Sequence, residues 1–262
     1  MPSYTTAPTV SLVSRPAVNW DEVGMFLSQE GYDPSWIDDR SSSSGGEILA
    51  EINGRICYQS FPRTNNKNIT RMREDPGDYF ANVLKAGHES ILEHANYSFL
   101  FTNVSRVFTH ELVRHRVGTA VSQESGRYVR TDHLDMAMPS ITPEVNERIA
   151  RLLDHIEKEY REIQELLSWD EVDFTTKKEW TSALRRVLPE GRTTTIGWTA
   201  NIRTLRHVIA LRTAPGTEWE IQRVFDQVYQ IMKEEVPLVF QDFETEAYEV
   251  GEEVRQWHRP KK

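Results

Sequence analysis

The stretch from Glu111 to Arg130, ELVRHRVGTAVSQESGRYVR, gathers side chains that bind anions. It contains four arginines, one histidine, two carboxylates and two serines. A guanidinium group is a planar fork of donors that matches the geometry of phosphate and carboxylate. The triplet Arg114-His115-Arg116 alone would also suit a helix end, where cations complement the helix dipole. The whole chain is acidic, with a net charge of −9, so this local concentration of guanidinium groups predicts an anion-binding site.

A second basic segment runs from Arg185 to Arg212 and holds six arginines, one acid, Glu190, and no lysine. Within it, Arg203 and His207 are spaced i, i+4 and share one face of a predicted helix. Arg212 follows about one turn later, at the end of that helix. Two arginine clusters in an acidic chain imply a ligand with several phosphates or anionic rings.

Length and composition exclude several classes of protein. A chain of 262 residues can bury the core of one domain with a mobile insert. Its acidic charge argues against a duplex-DNA binder or a membrane-surface protein, because both need a broad positive field. Cys57 is the single cysteine, which rules out an intramolecular disulfide, and there is neither a signal-like N-terminus nor an apolar run of membrane-spanning length. We therefore expect a cytoplasmic protein that binds neither a membrane nor a nucleic-acid polymer.

Two further chemistries are weighed and set aside. The stretch Gly87–His94, GHESILEH, resembles a zinc-protease helix, but that motif needs its histidines four apart, whereas His88 and His94 are six apart. No metal site is expected, and a loop-to-strand junction is the alternative. Ser122 and Ser125 lack a nucleophile-elbow context and Cys57 lacks a recognisable partner, so covalent hydrolysis is not expected.

Hydrophobic periodicity predicts the elements that position these residues. Helices are expected at about residues 20–29, 47–60, 75–87, 105–117, 142–167, 170–188, 201–213, 218–236 and, as a solvated last helix, 241–253. Strands are expected at Tyr97–Val104 and Thr193–Thr199, with Val10–Val13 as an edge strand or ordered arm. Asp38–Gly46, DDRSSSSGG, has the composition of a mobile surface loop. In this interpretation Cys57 faces inward, and a loop from Val117 to Glu124 follows the basic triplet.

Arg114-His115-Arg116, followed after a spacer by Ser125-Gly126-Arg127-Tyr128, resembles the signature of the flavin-dependent thymidylate synthases, the ThyX family. Further motifs fall in the family's order over about residues 46 to 247: Gly87-His88-Glu89-Ser90 with Glu93-His94, Arg185 with Val187-Leu188-Pro189, Trp198-Thr199-Ala200-Asn201-Ile202-Arg203, Leu211-Arg212 and Trp219-Glu220-Ile221-Gln222. The resemblance implies an α+β fold, with a central mixed β-sheet flanked by helices in a single domain. It also implies a homotetramer whose active sites lie at subunit interfaces. Residues 1–45 would form an N-terminal arm and mobile loop, 46–247 the catalytic domain and 248–262 a C-terminal tail.

The same resemblance implies the reaction. C5 of a uracil 5'-monophosphate, dUMP, gains a methyl group whose carbon comes from 5,10-methylenetetrahydrofolate, while NADPH supplies reducing equivalents through FAD. Unrelated thymidylate synthases instead use a cysteine that attacks the uracil ring. A lone Cys57 in an apolar helix pattern agrees with that difference.

Position in the family's motifs assigns roles to residues of this chain. FAD is expected on His88, Ser90, Arg114, His115, Arg116, Val117, Asn201, Arg203 and His207, with Gln123 between flavin and nucleotide. The nucleotide is expected on Glu111, Arg114, Gln123, Glu124, Ser125, Gly126, Arg127, Arg185 and Arg212. Ser125 and the following backbone amides can donate to a phosphate, which Arg127 and Arg185 neutralise. Arg212 is the expected catalytic residue, because a guanidinium near N3 and O2 of uracil stabilises the ionised ring that makes C5 nucleophilic.

Three features depart from the family's pattern. The spacer between Arg116 and Ser125 has eight residues, one more than is usual. Glu111 replaces a usual glutamine, and His207 stands where asparagine is common. The longer spacer is expected to change the shape of the nucleotide pocket. The alternative function is therefore C5-methylation of UMP, or of both UMP and dUMP, in nucleoside-antibiotic biosynthesis, as in the polyoxin type of enzyme.

Two other classes of protein stay open. A single-stranded RNA-binding module would explain arginines interleaved with Tyr128 and Trp198, although the acidic net charge opposes it. A scaffold that binds flavin without catalysis is the other. Salt-dependent oligonucleotide affinity would indicate the first, and a coloured protein that releases no tritium from C5-labelled uracil nucleotides would indicate the second.

Overall fold

The structure, a computed structural model, describes residues 3–5, 7–63, 66–139 and 141–261. Its strands are β1 (Ser3–Thr5), β2 (Thr9–Ser14), β3 (Asn96–Ser105), β4 (Thr119–Gln123), β5 (Asp135–Ala137), β6 (Thr193–Asn201), β7 (Phe243–Val250) and β8 (Glu253–Pro260). Its α-helices are α1 (Trp20–Gln29), α2 (Gly45–Tyr58), α3 (Pro76–Lys85), α4 (Arg106–Leu112), α5 (Pro143–Glu165), α6 (Phe174–Leu184), α7 (Ile202–Arg212) and α8 (Trp219–Glu235). Short 3₁₀ helices lie at Pro34–Arg40, Glu89–His94, Trp169–Glu171 and Arg185–Val187. The mixture of helix and sheet confirms the predicted α+β class.

Four strands form the central sheet, in the order β2-β3-β6-β4. Each neighbouring pair in it is antiparallel. The predicted mixed central sheet is therefore wrong, because β6 runs opposite to both of its neighbours, and the parallel pairing joins β1 to β5 instead. The predicted edge strand near Val10 is confirmed as β2.

Side chains of the two middle strands alternate between the core and the outer face of the sheet, as the pleat requires. Phe99 and Phe101 of β3 and Ile196 and Trp198 of β6 are all buried. Helix α8 covers this face, where Phe225 meets Trp198 edge to face with 5.6 Å between ring centroids. Burial of each such side chain contributes roughly 1.5–3 kcal/mol. This packing fixes β6, the strand to which the candidate site is attached.

Most of the predicted helices are confirmed, and two are shorter than predicted. Helix α4 ends at Leu112 rather than near residue 117, and the predicted helix over 170–188 divides into Trp169–Glu171, α6 and Arg185–Val187. No helix in the described ranges is long and apolar enough to cross a membrane.

The predicted surface loop at Asp38–Gly46 is shorter than expected, because only residues 41–44 lie outside helices, and its mobility stays a prediction. Residues 38–40 complete the 3₁₀ helix Pro34–Arg40, and Ser44 caps α2. The Ser44 hydroxyl accepts a hydrogen bond from Glu47 N, and the Glu47 carboxylate accepts one from Ser44 N at 2.9 Å. A serine three residues before a glutamate, ahead of an apolar run, is the signature of this capping box.

The predicted last helix over residues 241–253 is also wrong. Strands β7 and β8 pair as an antiparallel hairpin, with Gly251 in the turn at φ +61°. Glycine suits such a turn because it reaches positive φ without steric cost. The hairpin crosses the expected boundary between catalytic domain and tail, and the division of the chain at residues 45 and 247 stays a prediction.

Cys57 is exposed, so its predicted inward orientation is wrong. Helix α2 instead buries the face that carries Glu51 and Arg55, which with Arg40 form an ion triad whose three members are each 1% exposed. The Glu51 carboxylate accepts from Arg40 Nε and Nη2 at 2.8 Å and from Arg55 Nε at 2.7 Å. The inward face of α2 therefore combines these polar contacts with the buried apolar side chains of Ile48 and Ala50.

We expect Glu51→Ala to cost about 3–5 kcal/mol of the free energy of unfolding, because it leaves two buried guanidinium groups without a counter-ion. Urea denaturation followed by circular dichroism measures this loss. Glu147→Ala on α5 is the matched control, since Glu147 makes an exposed i, i+4 pair with Arg151 at 3.3 Å and should change stability by less than about 0.5 kcal/mol. Equal losses in the two variants would contradict the role given to the triad.

Candidate active site

The predicted loop from Val117 to Glu124 is largely the strand β4. Its residues pair in unbroken register with Ala200 back to Ile196 of β6, and Glu124 N donates to Thr195 O at 3.0 Å. The loop prediction is wrong because a short run of small and polar residues carries little strand signal outside its pairing. The strand separates the basic triplet from Ser125 by about 3.4 Å for each intervening residue.

Residues just before β4 and at the start of α7 line a cavity of about 300 Å³, which we call the basic cavity. Seven of the predicted FAD-binding residues are brought together there: Arg114, His115, Arg116, Val117, Asn201, Arg203 and His207. Glu93, Thr204 and Val208 complete its lining. Two segments far apart in sequence thus meet in one concave surface, as predicted.

Hydrogen bonds at the start of α7 hold the two segments together. Asn201 caps the helix, with its side-chain oxygen accepting from Thr204 N at 2.9 Å, and its backbone N donates to Gly118 O at 3.1 Å. The Thr204 hydroxyl donates to Val117 O at 2.9 Å. Gly118 has φ +68°, and a Cβ there would lie 2.3 Å from Nδ2 of Asn201. Only glycine fits this approach.

Two predicted FAD-binding residues, His88 and Ser90, do not line the basic cavity. Both are exposed at the 3₁₀ helix Glu89–His94, where the Tyr58 hydroxyl lies 3.4 Å from His88 Nδ1. The same helix reaches the cavity through Glu93, which pairs with Arg203 at 2.5 Å. Arg203 is therefore held by a carboxylate of the chain.

Arg212, at the end of α7, is fixed by two side chains near the basic cavity. Its Nη1 lies 2.6 Å from Glu111 Oε2, and its Nε donates to His115 Nε2 at 2.8 Å. Because the guanidinium can only donate, His115 must accept at Nε2 and so be neutral. Burial, assisted by Arg212 and His207, lowers the pKa of His115 to about 4. Glu111 and Arg212, predicted to bind the nucleotide, and His115, predicted to bind FAD, thus form one cluster.

The His115 pKa gives the cluster a pH dependence. The folded pKa of about 4 lies below the ordinary value of 6.5, so the unfolded chain takes up the proton first as the pH falls. Stability contributed by neutral His115 is present above about pH 6.5 and is lost as the pH falls through about 4. His115→Gln keeps an acceptor for Arg212 and does not titrate. We expect urea unfolding between about pH 7 and pH 4.5 to show a steeper loss of stability in the unsubstituted chain. Parallel curves for the two proteins would contradict the assignment.

The C-terminal hairpin braces the end of α7 on both sides of Arg212. Trp257 Nε1 donates to Ala210 O at 2.9 Å, and the Tyr248 hydroxyl donates to Thr213 O at 3.2 Å. The last carbonyl groups of a helix lack partners within the helix, so these donors satisfy them. His258 N donates to the Thr213 hydroxyl at 3.0 Å. The hairpin therefore helps to fix the backbone that carries Arg212.

At the other end of β4, arginines surround the predicted phosphate-binding turn. The Ser125 hydroxyl accepts from Arg127 N at 3.3 Å, and Gly126 is buried. A Cβ on Gly126 would lie 3.4 Å from Cδ of Arg185, so Arg185 meets the turn as predicted. Arg106 and Arg192 also reach Gly126. Sequence reasoning did not assign either residue, although Arg192 lies within the basic segment and Arg106 follows the cap of α4.

Gln123 and Glu124, at the end of β4, both make hydrogen bonds to residues of α4. The Gln123 side chain donates to the Thr109 hydroxyl of α4 at 3.2 Å, and Glu124 O accepts from Arg106 Nη2 at 3.2 Å. Arg106 opens α4, whose cap Ser105 is bonded through its backbone N and its hydroxyl to the carboxylate of Glu220. Burial raises the pKa of Glu220 to about 7. Within the described residues no cluster of three potential metal ligands occurs.

Comparison with known proteins decides the family. The family described as "Thymidylate synthase complementing protein" matches residues 41–238. Curated relatives named flavin-dependent thymidylate synthase are 34% identical in Mycobacterium avium (85% of this chain, 88% of the relative) and 36% identical in Mycolicibacterium vanbaalenii (again 85% and 88%). A relative of that name in Corynebacterium diphtheriae is 30% identical over 86% of this chain and 89% of its own length.

The chain belongs to the flavin-dependent thymidylate synthase family. The resemblance noted in its motifs is thereby confirmed, and the chain is an enzyme of the class that methylates uridylate. The matched region spans β3, β4, β6 and α7, and so includes both ends of the candidate site.

Proposed function

We propose that this enzyme methylates dUMP at C5 to give dTMP, with 5,10-methylenetetrahydrofolate as carbon donor and NADPH as reductant through FAD. The observation that carries the proposal is that the expected flavin and nucleotide residues assemble into two cationic groups at the two ends of β4. Arg212 stands beside the first group, held by Glu111 and His115. The names of the relatives support the reaction class.

The basic cavity fits FAD. Arg114 and Arg116 are exposed at it, and guanidinium groups together with the start of a helix suit the diphosphate of the cofactor. His88 and Ser90 would hold the part of FAD that extends beyond the cavity along the 3₁₀ helix Glu89–His94. When bound, FAD supplies the reducing equivalents that it receives from NADPH. Because these contacts are hydrogen-bonding and cationic, acid or heat should release the flavin.

Arg212 is the proposed catalytic residue. Uracil C5 becomes nucleophilic when negative charge builds on the ring, and a guanidinium near N3 and O2 stabilises that charge. In the overall reaction, the methylene carbon and one hydride become the new methyl group, and C5 releases its hydrogen as a proton. Tetrahydrofolate leaves with both bridging nitrogens protonated, by that proton and one from water. Glu111 orients Arg212, and neutral His115 adds no repelling charge.

Active sites between the subunits of a homotetramer form part of the proposal. Arg212 and Ser125 lie towards opposite ends of β4, so a nucleotide held by both within one chain would have to span the strand. If a second copy of the chain contributes either Arg212 or Ser125, the nucleotide no longer has to span the strand. Val117, an apolar residue of the basic cavity, is 87% exposed in one chain, and a neighbouring subunit would cover it.

We expect Arg212→Ala to lower turnover of dUMP by roughly 10²–10³ or more, the usual cost of losing an electrostatic stabiliser. Tritium release from C5-labelled dUMP measures the reaction, and the absorbance of bound flavin shows that the variant is folded and loaded. Cys57→Ser is the control and should keep substantial activity, because no covalent bond to uracil is proposed. An active Arg212→Ala enzyme, or an inactive but flavin-loaded Cys57→Ser enzyme, would contradict the mechanism.

Methylation of UMP, alone or besides dUMP, is the second candidate function, in nucleoside-antibiotic biosynthesis. The observation that favours it is the extra residue between Arg116 and Ser125. Since β4 is paired without a bulge, an extra residue in the strand lengthens it by about 3.4 Å and exchanges the faces of the residues beyond it. Both changes move the turn at Ser125, and so they alter the space beside the phosphate, where the sugar lies.

In this second case we expect 5-methyl-UMP to form at a rate within about 10² of that of dTMP, because a pocket that makes no hydrogen bond to the sugar discriminates weakly. Turnover of UMP and of dUMP is measured side by side with both cosubstrates, and omission of NADPH is the blank. An enzyme that turns over dUMP but gives no detectable 5-methyl-UMP at saturating UMP would exclude this function and leave thymidylate synthesis.

A further inference from the structure

Three arginine side chains converge on the backbone of Gly126. A Cβ on this glycine would lie 3.3 Å from Nη2 of Arg192, 3.4 Å from Cδ of Arg185 and 3.5 Å from Nη2 of Arg106. The main chain fixes two of them to each other, because Arg106 N donates to Glu190 O at 3.0 Å and to Arg192 O at 3.2 Å. We call Arg106, Arg185 and Arg192 the arginine cluster.

The arginine cluster has no carboxylate partner among the described residues. All ion pairs within 4.0 Å among the described residues are made by cations outside the arginine cluster. Arg192 is only 7% exposed, and the contact of its Nη1 is a neutral one, to the Thr131 hydroxyl at 2.8 Å. Arg106 Nη2 contacts the backbone O of Glu124, while its buried Nε has no partner.

The charges within the cluster oppose one another. Burial lowers the pKa of Arg192, and the neighbouring Arg106 lowers it further, against the weaker influences of Tyr160 and Glu124. Burial likewise lowers the pKa of Arg106, an effect that Glu124 opposes and Arg185 reinforces. Three guanidinium groups brought together with no carboxylate within 4.0 Å among the described residues are unfavourable, so a ligand that supplies negative charge binds there with an electrostatic gain.

The surroundings leave room for such a ligand. Arg192 also lines a cavity of about 320 Å³ with Arg130, Thr131 and Thr193. Carboxylates of Glu124, Asp132 and Asp135 line the same cavity, but none lies within 4.0 Å of the Arg192 guanidinium. The guanidinium groups and the hydroxyl of Ser125 are donors from which a phosphate monoester accepts hydrogen bonds.

We propose that Arg106 and Arg192 belong, with Arg185, to the site for the 5'-phosphate of the nucleotide substrate. The identity of that substrate rests on the proposed function, whereas the anion site itself does not. Arg192 is buried and its Nη2 would lie 3.3 Å from a Cβ at residue 126, so a larger side chain there would displace it. Both arginines are binding residues that recognise the charge of the ligand and not its base.

Thermal unfolding of the enzyme without nucleotide tests the anion site. Inorganic phosphate should raise the melting temperature of the unsubstituted protein more than chloride at equal ionic strength. In Arg192→Met this phosphate-specific rise should be lost, and the melting temperature without phosphate should stay equal or increase, because a buried unpaired charge is replaced by an apolar side chain. Arg186→Gln, an exposed neighbour on the 3₁₀ helix Arg185–Val187, is the control and should keep the rise.

Kinetics then separates the nucleotide role from the anion site. Arg192→Met and Arg106→Gln should each raise KM for dUMP by at least about tenfold, the effect of losing one charge-assisted contact of roughly 1.4 kcal/mol or more, with a smaller change in kcat. Wild-type KM and an intact phosphate response in both variants would overturn the proposal. A phosphate response that depends on Arg192 in a protein without methylase activity would instead support the anion site and refute the proposed function. If Arg192→Met does not fold, the phosphate-specific rise in melting temperature and the KM for dUMP are both measured on Arg106→Gln, and those results decide the proposal.

Discussion

The antiparallel ladder between β4 and β6 is the interaction on which the candidate site depends. Its register pairs Thr119 with Ala200 and Gln123 with Ile196, so the two basic regions are attached to the two ends of one rigid pair of strands. At one end Gly118 meets the cap of α7, and at the other Glu124 leads into the arginine cluster. A slip of one residue would turn each β4 side chain to the opposite face. Backbone hydrogen bonds thus fix the positions of the two basic regions relative to each other within one chain.

Local signals in the sequence predicted much of the fold. Hydrophobic periodicity located α3 and α5, which Asp75 and Thr142 cap in the structure, and β-branched and aromatic runs located β3 and β6. Two of the misses, strand β4 and the orientation of α2, depend on partners that are distant in sequence. Strand β4 gains its order from β6, and α2 turns Arg55 inward because Arg40 and Glu51 accompany it. Cys57 is exposed because the face of α2 that carries Glu51 and Arg55 is the buried one.

The candidate site divides in the same way between local and long-range information. Motif residues that are close in sequence, such as the basic triplet, were assigned by pattern, and the structure brings them together with Asn201 and Arg203. Arg106 could not be assigned, because it reaches Gly126 only through the fold, from the first turn of a helix capped by Ser105 and Glu220. The support of α7 by the hairpin could not be predicted either, because Trp257 and Tyr248 donate to backbone carbonyl groups, which carry no sequence signal.

The two ends of the site balance their charges differently, and the proposed substrate explains the difference. Arg212 has a carboxylate partner within the chain, Glu111 at 2.6 Å, whereas buried Arg192 has none within 4.0 Å among the described residues. A neutral uracil ring brings no charge when it binds, so the cation that must meet the charge developing on it needs an internal partner to hold its orientation. A phosphate monoester brings its own negative charge. At that end a carboxylate paired with the guanidinium groups would compete with the ligand. No such pair within 4.0 Å occurs there among the described residues, so the guanidinium groups can bind the phosphate.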